Sequence, residues 1–351
     1  MASGIAMVVL STGYELYAVD RDGVRWGQEI LSRTEAATPA SLTGVAVSNN
    51  REFIAYADHG NQIVVRSLLD GPIISRTPYE AQGEGETQLR CLSSDGYLAA
   101  LASVPPNLPQ GTTGDRLPWR VTVLDLRTGQ ATVEQPLENL VKQRTASDPK
   151  VQFTLYSLDW LPEHKLLVTY IGWQSGVYAY DPGTKAMEQI PDMISTMSVS
   201  DGGIVYGGRL GTRGNPPVIW DGHTTQALKL DPGSTFAVGG AFNSRGDALA
   251  LLAMSSRGEP RGWQLFRLSQ GTWRPAGPVG EHTWVNPLTG DSPSALSNDG
   301  TVAWASSQRA NGEPVVLSHD FRTGTWKEWL GPESLPVHLD RYHIEAIIPE
   351  K

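Results

Sequence analysis

Short apolar runs broken by tight polar turns recur along the whole chain. One turn reads Val45-Ala46-Val47-Ser48-Asn49-Asn50 before Phe53-Ile54-Ala55-Tyr56, and returns as Cys91-Leu92-Ser93-Ser94-Asp95-Gly96 before Tyr97-Leu98-Ala99-Ala100. Further copies are Ser198-Val199-Ser200-Asp201-Gly202, Ala241-Phe242-Asn243-Ser244-Arg245-Gly246 and Ala295-Leu296-Ser297-Asn298-Asp299-Gly300, with a proline variant at Leu158-Asp159-Trp160-Leu161-Pro162-Glu163. Asn-Gly and Asp-Gly pairs supply the positive φ angles of two-residue hairpins, so these segments are predicted hairpins. A second turn follows each after a further strand, as Asp125-Leu126-Arg127-Thr128-Gly129, Asp181-Pro182-Gly183, Asp221-Gly222 and Arg322-Thr323-Gly324. Each unit therefore holds four strands, and most units repeat every 38 to 54 residues, as Ser48, Ser93, Pro162, Ser200, Asn243 and Ser297 mark them. One interval, Ser93 to Pro162, is stretched to 69 by an insertion.

Four-stranded units of this length, repeated radially, predict an all-β fold, a seven-bladed β-propeller of four-stranded antiparallel blades. The N-terminal segment supplies three strands with no first strand ahead of them. The C-terminal His343-Ile344-Glu345-Ala346-Ile347-Ile348-Pro349-Glu350 matches the pattern of residues 157–163. It is therefore expected to complete blade 1 and close the ring, which removes exposed sheet edges. The chain reads as one domain, 1–351, with blade 1 at 5–36 plus 343–350 and blades 2 to 7 at 44–76, 88–135, 154–191, 195–231, 237–277 and 294–330. The Ser-x-Asp-Gly hairpins and Asp-x-x-Thr-Gly turns resemble the TolB-like and WD-repeat-like propeller superfamily. That resemblance implies a fold and leans toward binding; the Gly-His and Trp-Asp signatures of true WD repeats do not recur.

Antiparallel order puts the connections between second and third strands on the same rim as the links between blades. All the long loops fall on that rim, and long loops on a rigid scaffold carry binding residues. Arg209, Arg213, Arg257, Arg261 and Arg309 lie in its connections, Trp173 stands at a loop tip, and Trp263 and Trp284 lie near the rim. Arginine forks suit carboxylates and phosphates, and with tryptophan they make interface hot spots. Local pairing with Asp115, Glu259 or Glu313 would instead leave these arginines without a binding role.

Composition narrows the classes. The 351 residues include 37 Gly and 24 Pro, which leaves little room for long helices. A net charge of −9 argues against nucleic acid, since phosphate binding needs clustered cations. The single Cys91 excludes an internal disulfide and a Cys-based zinc finger, and reads as a small buried side chain. The apolar run Ile5–Leu10 is too short to span a bilayer. Met1-Ala2-Ser3-Gly4 lacks the basic start of a signal peptide, so a cytoplasmic protein is expected, or an exported one if a leader ahead of Gly4 has been removed.

No nucleophile elbow or phosphate-cradling loop is present, and neither a metal site nor a cofactor is expected. The weak catalytic candidates are His282, Glu281 and His343 on blade links and Asp159 on a first strand, where a charge needs water or a partner. Two functions follow. The first is a non-catalytic recognition or scaffold propeller whose long-loop face binds a protein, a peptide, an acidic surface or a small anionic ligand. The alternative is a propeller enzyme, a lyase or hydrolase, with its site at the mouth of the central channel on that face.

Overall fold

The structure, a computed structural model, describes residues 5–11, 15–20, 23–29, 42–58, 60–69, 71–79, 87–103, 120–134, 153–172, 175–209, 216–276, 291–308, 314–330 and 343–350. The fold is the expected one, an all-β seven-bladed propeller of four-stranded antiparallel blades. The chain divides into two compact units, Met1–Gln28 with Thr196–Lys351, and Glu29–Ser195.

In the first unit, blade 1 orders its strands as β29 (His343–Pro349), β1 (Ile5–Ser11), β2 (Glu15–Asp20) and β3 (Gly23–Glu29). The C-terminal strand pairs antiparallel with β1, Val8 opposite Ile347, as its orphan pattern required. Blade 5 holds β17 (Met193–Val199), β18 (Val205–Arg209), β19 (Val218–Trp220) and β20 (Thr225–Ala227). Blade 6 holds β21 (Phe236–Phe242), β22 (Ala248–Met254), β23 (Pro260–Ser269) and β24 (Thr272–Pro275). Blade 7 holds β25 (Ala295–Leu296), β26 (Val302–Gln308), β27 (Pro314–Asp320) and β28 (Thr325–Leu330).

In the second unit, blade 2 holds β5 (Val45–Val47), β6 (Phe53–Ala57), β7 (Gln62–Ser67) and β8 (Ile73–Pro78). Blade 3 holds β9 (Thr87–Leu92), β10 (Leu98–Ser103), β11 (Arg120–Asp125) and β12 (Ala131–Glu134). Blade 4 holds β13 (Phe153–Trp160), β14 (Leu166–Gly172), β15 (Gly176–Tyr180) and β16 (Met187–Gln189). A short strand β4 (Leu42–Thr43) also runs parallel to β9, so blade 3 borrows a fifth strand from the segment that enters blade 2. Gly44, at φ 109°, makes the switch between blades, because a Cβ there would stand 2.8 Å from the Leu89 carbonyl oxygen.

Strand position explains the apolar patterns. Second strands lie between two neighbours, so β10 and β22 read as unbroken small-and-large apolar runs and are buried throughout almost their whole length. Outermost strands such as β8 expose most of their residues.

The hairpins differ from the expected two-residue form. In blade 3 the Ser93 N–H donates to the Leu98 carbonyl at 2.9 Å and the Gly96 N–H to the Ser93 carbonyl at 2.9 Å, which makes a four-residue loop. Only its last turn position needs a positive φ, at Gly96, Gly203, Gly246 and Gly300; in blade 2 Arg51 takes that place at φ 57°. The marker residues Ser48, Ser93, Ser200, Asn243 and Ser297 are all buried. Their side-chain oxygens accept the N–H that starts the next strand, from Phe53 (3.0 Å), Leu98 (2.9 Å), Ile204 (2.9 Å), Ala248 (3.0 Å) and Val302 (2.9 Å). The Ser93 and Ser297 hydroxyls donate in turn to Asp95 (2.5 Å) and Asp299 (2.6 Å).

The same turns tie blade to blade. Asn50 donates to the Ser94 carbonyl at 2.7 Å, His164 pairs with Asp95 at 2.9 Å, and Asn243 donates to the Asn298 carbonyl at 2.9 Å. Farther out, the Gln226 amide both donates to the Trp273 carbonyl (2.9 Å) and accepts its N–H (3.0 Å), imitating a strand ladder between blades 5 and 6. Glu134, only 2% exposed, receives Tyr180 at 2.5 Å and Lys185 at 2.6 Å from blade 4. Lys185, rather than Gly183, holds the positive φ of that turn, at 61°.

Trp263, which the sequence placed near the loop rim, is fully buried and donates to the Asp291 carbonyl at 2.7 Å. It packs edge-on against Trp326 (centroids 4.8 Å apart) and His319 (6.2 Å) at the seam of blades 6 and 7, and Trp273 packs at the seam of blades 5 and 6. His319 is fully buried with Phe321 and Trp326 beside it, and burial lowers its pKa to about 4.

Two outcomes are expected. Ser297→Ala strips the Val302 N–H of its acceptor and should cost about 1–2 kcal/mol in urea unfolding, whereas Ser256→Ala, on an exposed turn, should cost nothing measurable; equal midpoints for the two would contradict the role of the hydroxyl. For His319 the unfolded chain takes up a proton near pH 6.5 and the folded chain only near pH 4. Its contribution is therefore complete above about pH 6.5 and is lost, by up to about 3 kcal/mol, as pH falls toward 4. His319→Phe should flatten the stability profile through that window, and an unchanged slope would count against it.

Candidate functional site

On the long-loop end of blades 5 and 6, the two prolines that lead into β19, the link from β20 to β21 and the β22–β23 turn lie side by side. The link is held at both ends. The Leu228 N–H donates to the Pro217 carbonyl (2.8 Å) and the Thr235 N–H to the Met254 carbonyl (2.8 Å). Between them, Asp231-Pro232-Gly233-Ser234 forms a turn closed by a Ser234 N–H bond to the Asp231 carbonyl at 3.0 Å, with Gly233 at φ 85°. Gln264 braces this turn from β23, accepting the Asp231 N–H (3.2 Å) and donating to the Ser234 hydroxyl (3.4 Å).

The braced link floors a cavity of about 360 Å³. Pro216, Leu228 and Leu230 supply apolar wall; Lys229, Ser234 and Thr235 supply polar groups. The Thr235 hydroxyl is buried and has no hydrogen-bond partner among the described residues. Arg261 stands beside the link, its guanidinium 3.8 Å from where a Gly233 Cβ would lie. Arg257 is on the neighbouring turn, which Ser255 organises by accepting the Glu259 N–H at 3.1 Å. This connection is a tight turn rather than the long loop read from sequence, and Arg261 belongs to strand β23.

Lys229, Arg257 and Arg261 are exposed, and among the described residues their side chains make no ion pair or hydrogen bond. Glu259 does not pair with either arginine. Elsewhere, by contrast, Arg127 pairs with Asp125 at 3.3 Å, Arg322 with Asp320 at 2.8 Å and Arg76 with Asp58 at 3.1 Å. Lys229 escaped the sequence reading because no motif surrounds it. Asp231, half-buried next to the cavity, has its carboxyl pushed up by burial.

The other sequence candidates divide as follows. Arg209 ends β18. Arg213, Arg309, Trp173, Trp284, His282 and Glu281 lie outside the described residues. His343 opens β29, at its link end, whereas Asp159 is the next-to-last residue of β13, at its hairpin end. The two therefore sit at opposite ends of their blades' first strands.

Asp159 accepts the Trp160 N–H at 2.8 Å and is also bonded by Asn49, whose amide donates to the Trp160 carbonyl at 2.9 Å. Asn49 thereby reaches from blade 2 to blade 4. Burial outweighs these bonds and raises the Asp159 carboxyl to about 6. Cys91 is buried as expected, and burial first, then the charge of Asp159, pushes its thiol up. Among the described residues no group of three or more His, Cys, Asp or Glu could hold a metal ion, and no helix is long and apolar enough to cross a membrane.

No protein-family model and no curated protein matches the chain in sequence. Among solved structures it is similar to a prolyl endopeptidase studied for interdomain dynamics in catalysis, at 14% identity and TM-score 0.51, over 97% of this chain and 51% of that one. It is also similar to an oligogalacturonate lyase in complex with manganese, at 14% identity and TM-score 0.50, over 91% of this chain and 84% of that one. TolB from Acinetobacter baumannii matches at 15% identity and TM-score 0.41, over 91% of this chain and 62% of that one. The chain thus spans between half and two thirds of the lengths of TolB and the endopeptidase. At such identities the likeness shows the fold alone, a β-propeller, and says nothing of activity.

Asp159 generates a further expectation. The unfolded chain ionises it near pH 3.9 and the folded chain only near 6, so the folded state loses stability as pH rises through that interval. Asp159→Asn should therefore gain about 2–3 kcal/mol on wild type at pH 8 relative to the difference at pH 4. A pH-independent difference in thermal melts would show that the carboxyl is not desolvated.

Proposed function

We propose that this protein is a non-catalytic recognition propeller that binds an anionic protein or peptide ligand on its long-loop face. The observation that carries this reading is a set of exposed cations, Lys229 at the cavity, Arg261 beside the link and Arg257 on the adjacent β22–β23 turn, that make no ion pair among the described residues of a chain whose net charge is −9. Unpaired guanidinium and ammonium groups lose nothing internal when they meet a partner carboxylate, and charge-assisted bonds are the strong ones. Their placement on the scaffold's long-loop end fits a binding role. The competing enzyme reading would use Asp159, but that carboxyl already accepts bonds from Trp160 and Asn49 at the hairpin end of its strand.

Arg245, also unpaired but on a hairpin turn at the other end of blade 6, provides a control of identical charge change. Immobilised wild-type protein and Arg245→Glu should recover the same partners from a native extract. Lys229→Glu/Arg257→Glu/Arg261→Glu should lose them, and equal recovery by all three would overturn the assignment of the face.

A further inference from the structure

Resting on that reading, we propose that the cavity lined by the β20–β21 link and Pro216 takes an extended peptide at a point where an apolar side chain is followed by a carboxylate. The apolar half follows from the wall. Leu228 is 1% exposed and belongs to the core, while Leu230 and Pro216 line the opening without being sealed in. A volume of about 360 Å³ lies at the small end for ligand pockets and suits one large side chain and its backbone.

The acidic half follows from the charges. Lys229 lines the cavity and Arg261 stands beside the link, and among the described residues neither side chain makes an ion pair. These two cations complement a carboxylate through charge-assisted hydrogen bonds. An apolar wall also penalises a bare inorganic anion, which would surrender hydration against leucine and proline without recovering it. Peptide backbone, in contrast, brings an N–H and a carbonyl that the Ser234 and Thr235 hydroxyls can meet, and the Thr235 hydroxyl is without a partner among the described residues. Lys229 and Arg261, whose guanidinium lies beside Gly233 of the link, then bracket the carboxylate.

Fluorescence anisotropy on the full chain tests this with a fluorescein-labelled hexapeptide containing a Leu-Asp pair in a Gly-Ser background. The Leu-Asn and Ser-Asp counterparts are expected to bind at least about tenfold more weakly, and Lys229→Met/Arg261→Met to weaken the Leu-Asp peptide by a similar factor. Both substituted side chains are exposed, so unchanged thermal melting is expected and checks that the fold is intact. Equal affinity for the Leu-Asp and Leu-Asn peptides, or an unaffected double variant, overturns the proposal. Displacement of the peptide by millimolar inorganic phosphate overturns it in favour of a simple anion site. If the peptides fail to discriminate while the charge-reversal triple still loses its extract partners, recognition by the face stands and this ligand assignment alone falls. If the Leu-Asp peptide binds as expected while extract partners are retained, the failure lies with the broader reading.

Discussion

A hairpin that turns inside packed sheet leaves a backbone N–H pointing at protein rather than water, and one buried side-chain oxygen in most blades of this chain takes it. Ser48, Ser93, Ser200, Asn243 and Ser297 each accept the N–H that launches the second strand. An unmet donor at that depth would cost more than a typical hydrogen bond contributes. The second strand is the most deeply buried of its blade, so its register depends on that first bond. The Asp at the third turn position, as Asp95 and Asp299, holds the hydroxyl in the accepting orientation while taking up further N–H groups of the turn.

The turn then does a second job, because its amides and carbonyls lie within reach of the neighbouring blade. Asn50, His164 and Asn243 make interblade bonds from positions whose first purpose is to turn the chain. Packing completes the joints differently at each seam. Trp273 fills the one between blades 5 and 6 beside the Gln226 ladder; Trp263, Trp326 and His319 fill the next. Between blades 3 and 4 the buried Glu134 is tolerated because Tyr180 and Lys185 both reach it. These joints are polar at the hairpin end and mostly aromatic toward the outside.

A turn aspartate can hold an arginine at either end of a blade, as Asp58 at the β6–β7 connection holds Arg76. At the hairpin end, turn aspartates accept backbone N–H groups and hold nearby arginines: Arg127 on Asp125, Arg322 on Asp320. At the other end of blade 6 the turn is organised by Ser255, an uncharged residue, and the adjacent Arg257 and Arg261 stay unpaired. The choice of serine rather than aspartate for a turn thus leaves positive charge available on an acidic protein, next to a cavity with an apolar wall.

The amino-acid sequence by itself determined the repeat, the four-strand unit, the all-β fold and the partnership of the C-terminal strand with β1. Those features are decided within a few residues, by Ser-x-x-Gly and Asp-x-x-Thr-Gly turns and by apolar runs whose length matches a buried strand. Even there, the hairpins proved longer than two residues, and Arg51 and Lys185 stand where a glycine was expected, because neighbouring contacts can hold a left-handed residue in place. Only the tertiary structure decided that β4 joins blade 3, that Trp263 is core rather than rim, and that Asp159 lies at the hairpin end with a raised pKa. It alone brought Arg261 beside the β20–β21 link that carries Lys229, and left Glu259 apart from both arginines. Whether a charge is paired depends on the reach of side chains across turns distant in sequence, and spacing along the chain carries no record of that reach.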